Sequence, residues 1–192
     1  MVNSQVLKDF LKNNSFVLDI LLFVTITYVF HKLWWAFAAD IKSIKAISQL
    51  AEWLAAQVFN QSYFIIHHTY DPGSWHEPVN TIHFSNLGYI TVNESCSGLK
   101  QFYQIVVLFL LFPGPWKHKL WYVPLSIFIM HITNVMRIIT LGMVTLWAPE
   151  YWQFSHDWIL RPFFYVVLFL LWVWWVERFG GFSYWLKKRT VK

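Results

Sequence analysis

The amino-acid sequence predicts an all-α integral membrane protein with about four transmembrane helices, an amphipathic interfacial helix and a small extended or β excursion on the outer face. Hydrophobic residues fill 57% of the 192 positions, aromatic residues fill 21%, and the mean hydropathy is +0.41. A soluble domain of this length would not carry 13 Trp and 18 Phe, and the chain is too short for two large domains. Four apolar segments can cross a hydrocarbon core of about 30 Å, which needs about 20 helical residues.

The first predicted span covers residues 16–39. His31 and Lys32 lie near its far end, where long polar side chains reach the membrane interface. A basic start, an apolar run and the sequence Ala36-Phe37-Ala38 also resemble a cleavable signal peptide. Because His31, Lys32 and two tryptophans separate the apolar run from that cleavage site, the sequence favours a membrane anchor.

Two different segments connect the first span to the second. Residues 41–58 are typical of an amphipathic helix, because apolar side chains recur on one stripe: Ile41, Ile44, Ile47, Leu50, Leu54 and Val58. Residues 60–95 form an outer segment with β-prone runs at 63–66 and 89–92 and a turn signal at 71–74. We therefore expect a small extended excursion or hairpin that caps the outer face.

The other three predicted spans cover residues 96–112, 120–148 and 158–176. Pro113 and Pro149 follow the second and third of these spans. Aromatic residues cluster near the span ends, as they do at membrane interfaces: Trp34, Trp35, Trp116, Trp121, Trp147, Trp152, Trp174 and Trp175.

The distribution of basic residues predicts the orientation in the plasma (inner) membrane. In a four-span protein most of them fall on one side: Lys8, Lys12, Lys117, Lys119, Arg178, Lys187, Lys188, Arg189 and Lys192. The other side has only Lys42, Lys45 and Arg161, in longer and more acidic segments. The excess of basic residues in cytoplasmic segments places both termini in the cytoplasm and residues 60–95 outside.

The only cysteine, Cys96, lies where the outer segment is expected to enter the second span, with Asn93 or Ser95 as the helix cap. One cysteine excludes an internal disulfide. The helix N-terminus and the cation of Lys100, four residues later on the same helix face, both favour a reactive thiolate. Gly98 leaves room for close approach, and backbone N–H groups there can receive an oxyanion. A buried structural cysteine is the alternative.

Arg137 and His156 are predicted to reach the same level of the membrane as the cysteine. Arg137 lies about 25 Å along the third span from Leu120, on a polar stripe with Asn134 and Thr140. An arginine at this depth usually faces a partner or a cavity, although it can also anchor a helix at the interface. His156, in the predicted outer loop before the fourth span, can accept a proton from a thiol and return it to a leaving amine, or can be an ordinary interfacial histidine.

Further histidines in the outer segment match no familiar zinc-ligand spacing, and a solvated strand face explains them better: His67, His68, His76 and His83, with Glu77. The sequence predicts no metal site, no soluble cofactor and no nucleic-acid partner.

The motif Ser95-Cys96-Ser97-Gly98-Leu99-Lys100, followed by Asn134-x-x-Arg137 and then by His156, resembles the exosortase/archaeosortase family. The resemblance covers roughly residues 85–175, and this short chain looks like a compact variant. The family consists of multi-span membrane cysteine enzymes of bacteria and archaea. The resemblance implies that Cys96 is the nucleophile and that Arg137 and His156 complete a triad. We expect Ser97, Gly98, Lys100 and Asn134 to be substrate-binding or supporting residues.

The resemblance also implies an exported protein substrate with a C-terminal sorting tail, which consists of a short motif, a membrane helix and a basic end. The predicted function is a membrane-embedded cysteine endopeptidase or transpeptidase that cuts this tail on the outer face through a thioacyl intermediate. Membrane lipids are the other expected partner. Two alternatives stay open: a non-enzymatic scaffold or chaperone that binds a partner's transmembrane helix, and an acyl or glycan transferase that uses His156 without the thiol.

Overall fold

The computed structural model describes residues 14–182 and residue 184. The helices are α1 (Ser15–Ser43), α2 (Lys45–Ile65), α3 (Leu99–Leu111), α4 (Trp116–Trp147) and α5 (Arg161–Arg178). Three short strands, β1 (Trp75–Glu77), β2 (Thr81–His83) and β3 (Tyr89–Thr91), pair antiparallel in that order. The predicted class, a mostly helical protein with a small β excursion, is confirmed, and the excursion is a three-stranded sheet.

Within residues 14–182, three helical segments are long and apolar enough to cross a membrane: Ser15–Ser43, Trp116–Trp147 and Pro149–Arg178. They support the predicted integral membrane protein. The predicted second span is shorter than expected, since α3 has 13 residues and extends about 20 Å at 1.5 Å per residue. A fourth crossing therefore stays a prediction.

The described residues divide into two compact units, and the first contains residues 14–37, 102–127 and 168 onward. Its core includes the fully buried side chains of Tyr122, Trp172 and Trp175. The side chain of Lys119 caps the C-terminus of α3 in this unit. Its Nζ donates hydrogen bonds to the carbonyl oxygens of Leu110 at 3.0 Å and Phe112 at 2.8 Å. These bonds satisfy carbonyl groups that a helix C-terminus leaves without partners.

Asp19 is a buried carboxylate in the apolar helix α1, with 3% of its surface exposed. Its Oδ1 accepts a hydrogen bond from the Phe182 backbone N–H at 2.8 Å, which offsets the cost of burying the group. The preceding Gly181 has a φ of +92°, and a Cβ there would lie 2.7 Å from Asp19 Oδ2. Only glycine fits this close approach without a shift in the neighbouring atoms.

The second unit comprises Ala38–Gln101 and Phe128–Val167. Its core combines residues of α2, the sheet, α4 and the segment that precedes α5: Val58, Phe59, Ile66, Ile82, Phe84, Ile90, Val92, Val135, Ile138, Leu141 and Leu160. Helix α2 begins at Lys45, because residue Ile44 is extended (φ −74°, ψ 109°) and separates it from α1. Its buried face is Ala51, Leu54, Ala55, Val58, Phe59 and Ser62, so only two members of the predicted apolar stripe are buried on it.

The predicted β-prone run at 63–66 is helical instead, because α2 continues to Ile65 and is followed by a π-helical turn, Ile66–Tyr70. The buried side chain of Ile66 packs in the core of the unit, so tertiary packing overrides the local β propensity here. The predicted turn at 71–74 is present, with the Ser74 N–H donating to the Asp71 carbonyl oxygen at 3.0 Å. Some basic residues of the orientation prediction lie outside the described residues: Lys8, Lys12, Lys187, Lys188, Arg189 and Lys192.

Candidate active site

Cys96 ends a single 3₁₀ turn, Glu94–Cys96, that precedes α3. Asn93 caps this turn, because its Oδ1 accepts a hydrogen bond from the Ser95 N–H at 3.0 Å. Ser97 then caps α3 by accepting from the Leu99 N–H at 3.2 Å. Between the two, Gly98 has a φ of +79°, a left-handed conformation that favours glycine.

This arrangement corrects the predicted relation between Cys96 and Lys100. A spacing of four residues places two side chains on one face only within a continuous α-helix. Here the helix begins at Leu99 and the left-handed Gly98 interrupts the helical path. Cys96 therefore lies before the helix, so the argument from a shared helix face does not apply, and the supporting role of Lys100 stays a prediction.

The Cys96 backbone is held by helix α4. Its carbonyl oxygen accepts a hydrogen bond from Asn134 Nδ2 at 2.6 Å, and Asn134 is 1% exposed. The half-buried Cys96 side chain packs against the hydrophobic core of the second unit. The predicted supporting residue Asn134 thus fixes the position of the cysteine through its main chain.

Arg137 follows Asn134 by three residues on α4 and contacts His156. The distance from Arg137 Nη2 to His156 Nε2 is 2.8 Å. The guanidinium lies over the Phe164 ring at 5.6 Å and within electrostatic range of Cys96. Its Nε is buried and has no hydrogen-bond partner among the described residues. Arg137 therefore has one donor on the histidine and another that is unused.

These contacts assign the protonation of His156. A guanidinium can only donate, so Nε2 must accept and carries no proton in this arrangement. The other ring nitrogen, Nδ1, then donates to Asp157 Oδ1 at 2.8 Å. The ring is also stacked on Trp152, with centroids 5.0 Å apart and planes 6° apart. His156 is thus a neutral imidazole held from three sides.

A family model described as Transmembrane exosortase (Exosortase_EpsH) matches residues 18–173, which is most of the chain. The chain belongs to the exosortase family. This confirms the resemblance predicted from the cysteine, arginine and histidine motifs, all of which lie inside the matched range. No curated protein and no solved structure matches the chain.

The prediction that His156 lies in a loop is wrong for this exosortase. His156 belongs to a π-helical turn, Ser155–Leu160, within a helical path from Pro149 to Arg178. The Arg161 N–H donates to the His156 carbonyl oxygen, which is the i to i−5 bond of such a turn. The apolar sequence from Trp158 onward predicted a helix, but no residue in the sequence marks the wider turn that precedes it.

Asp157 is a candidate site residue that the sequence interpretation missed. The sequence alone favours no more than a helix-cap role for it, because adjacent residues rarely face each other. In the exosortase its Oδ1 accepts from His156 and also contacts Arg161 Nη1 at 3.0 Å, and Gln153 Nε2 donates to its Oδ2. The one available signal was the spacing of four residues from Asp157 to Arg161 and from Gln153 to Asp157, which indicates side-chain pairs on a helix face.

The outer histidines are engaged in local contacts. His67 Nδ1 lies 3.0 Å from the Ser74 carbonyl oxygen, and His83 is stacked on Trp75 with centroids 4.0 Å apart. In the described part of the chain, no group of three or more His, Cys, Asp and Glu side chains is arranged to hold a metal ion.

Proposed function

We propose that this exosortase is a membrane-embedded cysteine endopeptidase or transpeptidase that cleaves a C-terminal sorting tail from exported proteins. Cys96 is the nucleophile, Arg137 stabilises the oxyanion and His156 transfers protons. Asn134, Ser97, Gly98 and Lys100 are supporting residues. The observation that carries the proposal is the 2.8 Å contact between Arg137 Nη2 and His156 Nε2. This pair lies in the same unit as the only cysteine. The Cys96 carbonyl oxygen is hydrogen-bonded to Asn134, which precedes Arg137 by about one helical turn.

The first step uses the unprotonated Nε2 of His156. Cys96 transfers its thiol proton to Nε2, and the resulting thiolate attacks the carbonyl carbon of the scissile peptide bond. The single lone pair of Nε2 is occupied by Arg137 Nη2 in the described arrangement, so Arg137 must move away as the thiol proton arrives. This displacement both frees the base and turns Arg137 Nη2 toward the substrate. Asp157 accepts from Nδ1 and stabilises the imidazolium that forms.

The carbonyl oxygen becomes an oxyanion in this step. The released Nη2 and the buried, unpaired Nε of Arg137 can donate to it. The Gly98 N–H, two residues after the nucleophile, also has no hydrogen-bond partner within the described residues. Donors that are already in position when negative charge develops are an effective form of transition-state stabilisation.

The intermediate then collapses. The C–N bond breaks, the leaving amine takes the proton from His156 Nε2, and the acyl group stays on Cys96 as a thioester. Water or an acceptor amine attacks the thioester carbonyl and loses its proton to Nε2, and the thiolate leaves. This sequence needs no cofactor, because each proton moves between the substrate, the acceptor and His156.

The scaffold alternative requires Arg137 to be available for an acidic group on a partner helix. Its Nη2 is instead directed to a histidine of the same unit, and that histidine is oriented by a carboxylate. This arrangement favours proton transfer over a docking contact. The proposal is therefore tested through cleavage of a partner protein.

We expect four crossings, with both termini in the cytoplasm and the site on the outer face of the plasma membrane, because the basic residues are concentrated on one side. Reporters fused after Lys192 and at Gly114, between α3 and α4, should be active only in the cytoplasm. A reporter at Gly73 should be active only outside. A cytoplasmic reporter signal at Gly73 would put Cys96 on the wrong face for exported substrates.

Replacing Asp157 with asparagine should slow cleavage roughly tenfold to a hundredfold, because the imidazolium loses its carboxylate partner. The rate is measured from partner cleavage at matched membrane levels. Asp157→Glu should recover part of the rate, since it restores the charge. The control is Glu150→Gln, which removes an exposed carboxylate from the same helical path. Equal rates for Asp157→Asn and the control would exclude a role for Asp157 in positioning His156.

A further inference from the structure

A groove of about 630 Å³ lies beside the turn that carries Cys96. Helix α2 forms one wall with Glu52, Trp53 and Ala56, and the residues around Val79 form another. The third wall is the chain from Thr91 to Glu94, which leads directly into the cysteine turn. Trp53 is 58% exposed and Val79 is 74% exposed, so apolar surface stays open to an incoming ligand.

The wall at Thr91 is the outer edge of the sheet. The Val92 N–H donates to the Asn80 carbonyl oxygen at 2.9 Å, and Thr91 is paired with Thr81. In an antiparallel ladder, bonded and non-bonded pairs alternate. Thr91 and Thr81 therefore form a non-bonded pair, which agrees with the 3.0 Å contact between their hydroxyl oxygens. The backbone N–H and C=O of Thr91 consequently point away from β2.

The groove also carries two carboxylates, Glu52 on α2 and Glu94 in the cysteine turn. Neither of them makes an ion pair with any residue in the described part of the chain. Unpaired carboxylates on an otherwise apolar surface attract a cation, and the open N–H and C=O of an edge strand attract an extended peptide.

We propose that this groove holds an extended segment of the substrate, which pairs with the edge of β3 at Thr91 and places a basic side chain between Glu52 and Glu94. The inference rests on the proposed function and adds a requirement for the substrate. A strand paired at Thr91 runs along the four residues that connect this position to Cys96. Alternate side chains of such a strand face the same wall and lie about 7 Å apart. A lysine or arginine at every second position can therefore form ion pairs with Glu52 and Glu94.

Binding can be tested without cleavage. The probe is a fluorescein-labelled peptide, acetyl-Thr-Lys-Thr-Lys-Thr-Lys-Thr-amide, added to the full-length Cys96→Ala protein in uncharged detergent. We expect saturable binding in fluorescence anisotropy and at least tenfold weaker binding of the peptide with Glu in place of Lys. The double variant Glu52→Gln, Glu94→Gln should weaken binding of the lysine peptide about tenfold, as expected for two partly exposed charge pairs. Glu150→Gln is the matched control and should bind like the parent.

A second probe tests the strand pairing without altering the protein. Methylation of the peptide nitrogen atoms at alternate positions removes the donors that one edge of the added strand presents. One of the two methylated registers should bind at least fivefold more weakly than the other. Equal binding of both registers, or equal binding of the lysine and glutamate peptides, would overturn the proposal.

Three further outcomes identify which proposal has failed. Competition of the lysine peptide by short-chain phosphatidylethanolamine, but not by phosphatidylcholine, would assign the groove to a lipid amine and overturn the peptide assignment. Unchanged peptide binding by the double glutamine variant, in a protein that still cleaves its partner through Cys96, would refute the groove and leave the proposed function standing. Loss of Cys96 dependence in cleavage would instead refute the proposed function.

Discussion

Replacing Cys96 with alanine is expected to abolish cleavage of the partner protein, with a rate loss of at least about 10³-fold. The substitution removes the sulfur atom that forms the thioester in the proposed mechanism. Because Cys96 is the only cysteine, no second thiol can replace it. The side chain is small and half-buried at the edge of the core. Stability should therefore fall by no more than about 1–2 kcal/mol, and the protein should remain inserted in the membrane.

The measurement is accumulation of an uncut membrane protein of the same organism that carries a C-terminal helix and a basic end. Ser95→Ala is the matched control, because it shortens an exposed neighbour in the same turn. Cys96→Ser separates the alternatives: a transferase that relies on His156 keeps its activity, whereas a thiol mechanism does not. Normal cleavage by a well-expressed Cys96→Ala protein would falsify the nucleophile assignment.

Replacing Arg137 with lysine is expected to reduce cleavage about 10²–10³-fold, nearly as much as replacing it with alanine. Arg137 has two tasks that depend on a planar fork: Nη2 bonds the histidine, while Nε is directed into a buried region without a partner. An ammonium group is a single flexible point donor and cannot serve both positions at fixed geometry. Arg137→Lys keeps the positive charge but loses the directed donors. The variant therefore distinguishes a catalytic arginine from one that only anchors the helix.

The assay compares partner cleavage by Arg137→Lys and Arg137→Ala at matched membrane levels. Arg178→Lys is the control, since Arg178 is an exposed basic residue in the last turn of α5. An arginine that serves only as an interfacial anchor is replaced well by lysine, because both side chains reach the interface. A fully active Arg137→Lys protein would show that Arg137 is such an anchor.

Much of this molecule was predictable because membrane helices and the cysteine motif leave strong local signals. Long apolar runs gave the positions of α1, α4 and the segment ending in α5, although their ends moved by several residues. The residue types at Cys96, Asn134, Arg137 and His156 pointed to one chemistry, and the family match supports the assignment of the chain. A charged residue in an apolar helix is costly, so Arg137 was conspicuous from sequence alone.

The remaining features depend on contacts that a sequence does not encode locally. The beginning of α3 at Leu99 follows from the left-handed Gly98 and the Ser97 cap, whereas composition alone favours an earlier start. The helical state of residues 63–66 depends on burial in the core of the unit. The role of Asp157 depends on the side-chain geometry of a turn whose wider winding has no sequence signature.

The π-helical turn Ser155–Leu160 determines how the protein should respond to the deletion of a single residue. A π turn holds one residue more than the α-helical path it replaces, and one residue corresponds to about 100° of rotation. Deleting Trp158 or Ile159, which are both exposed, would let the segment close as a regular α-helix. Either helix α5 or the imidazole of His156 would then turn away from its present direction. Deleting either residue should therefore be tolerated far less than substituting it.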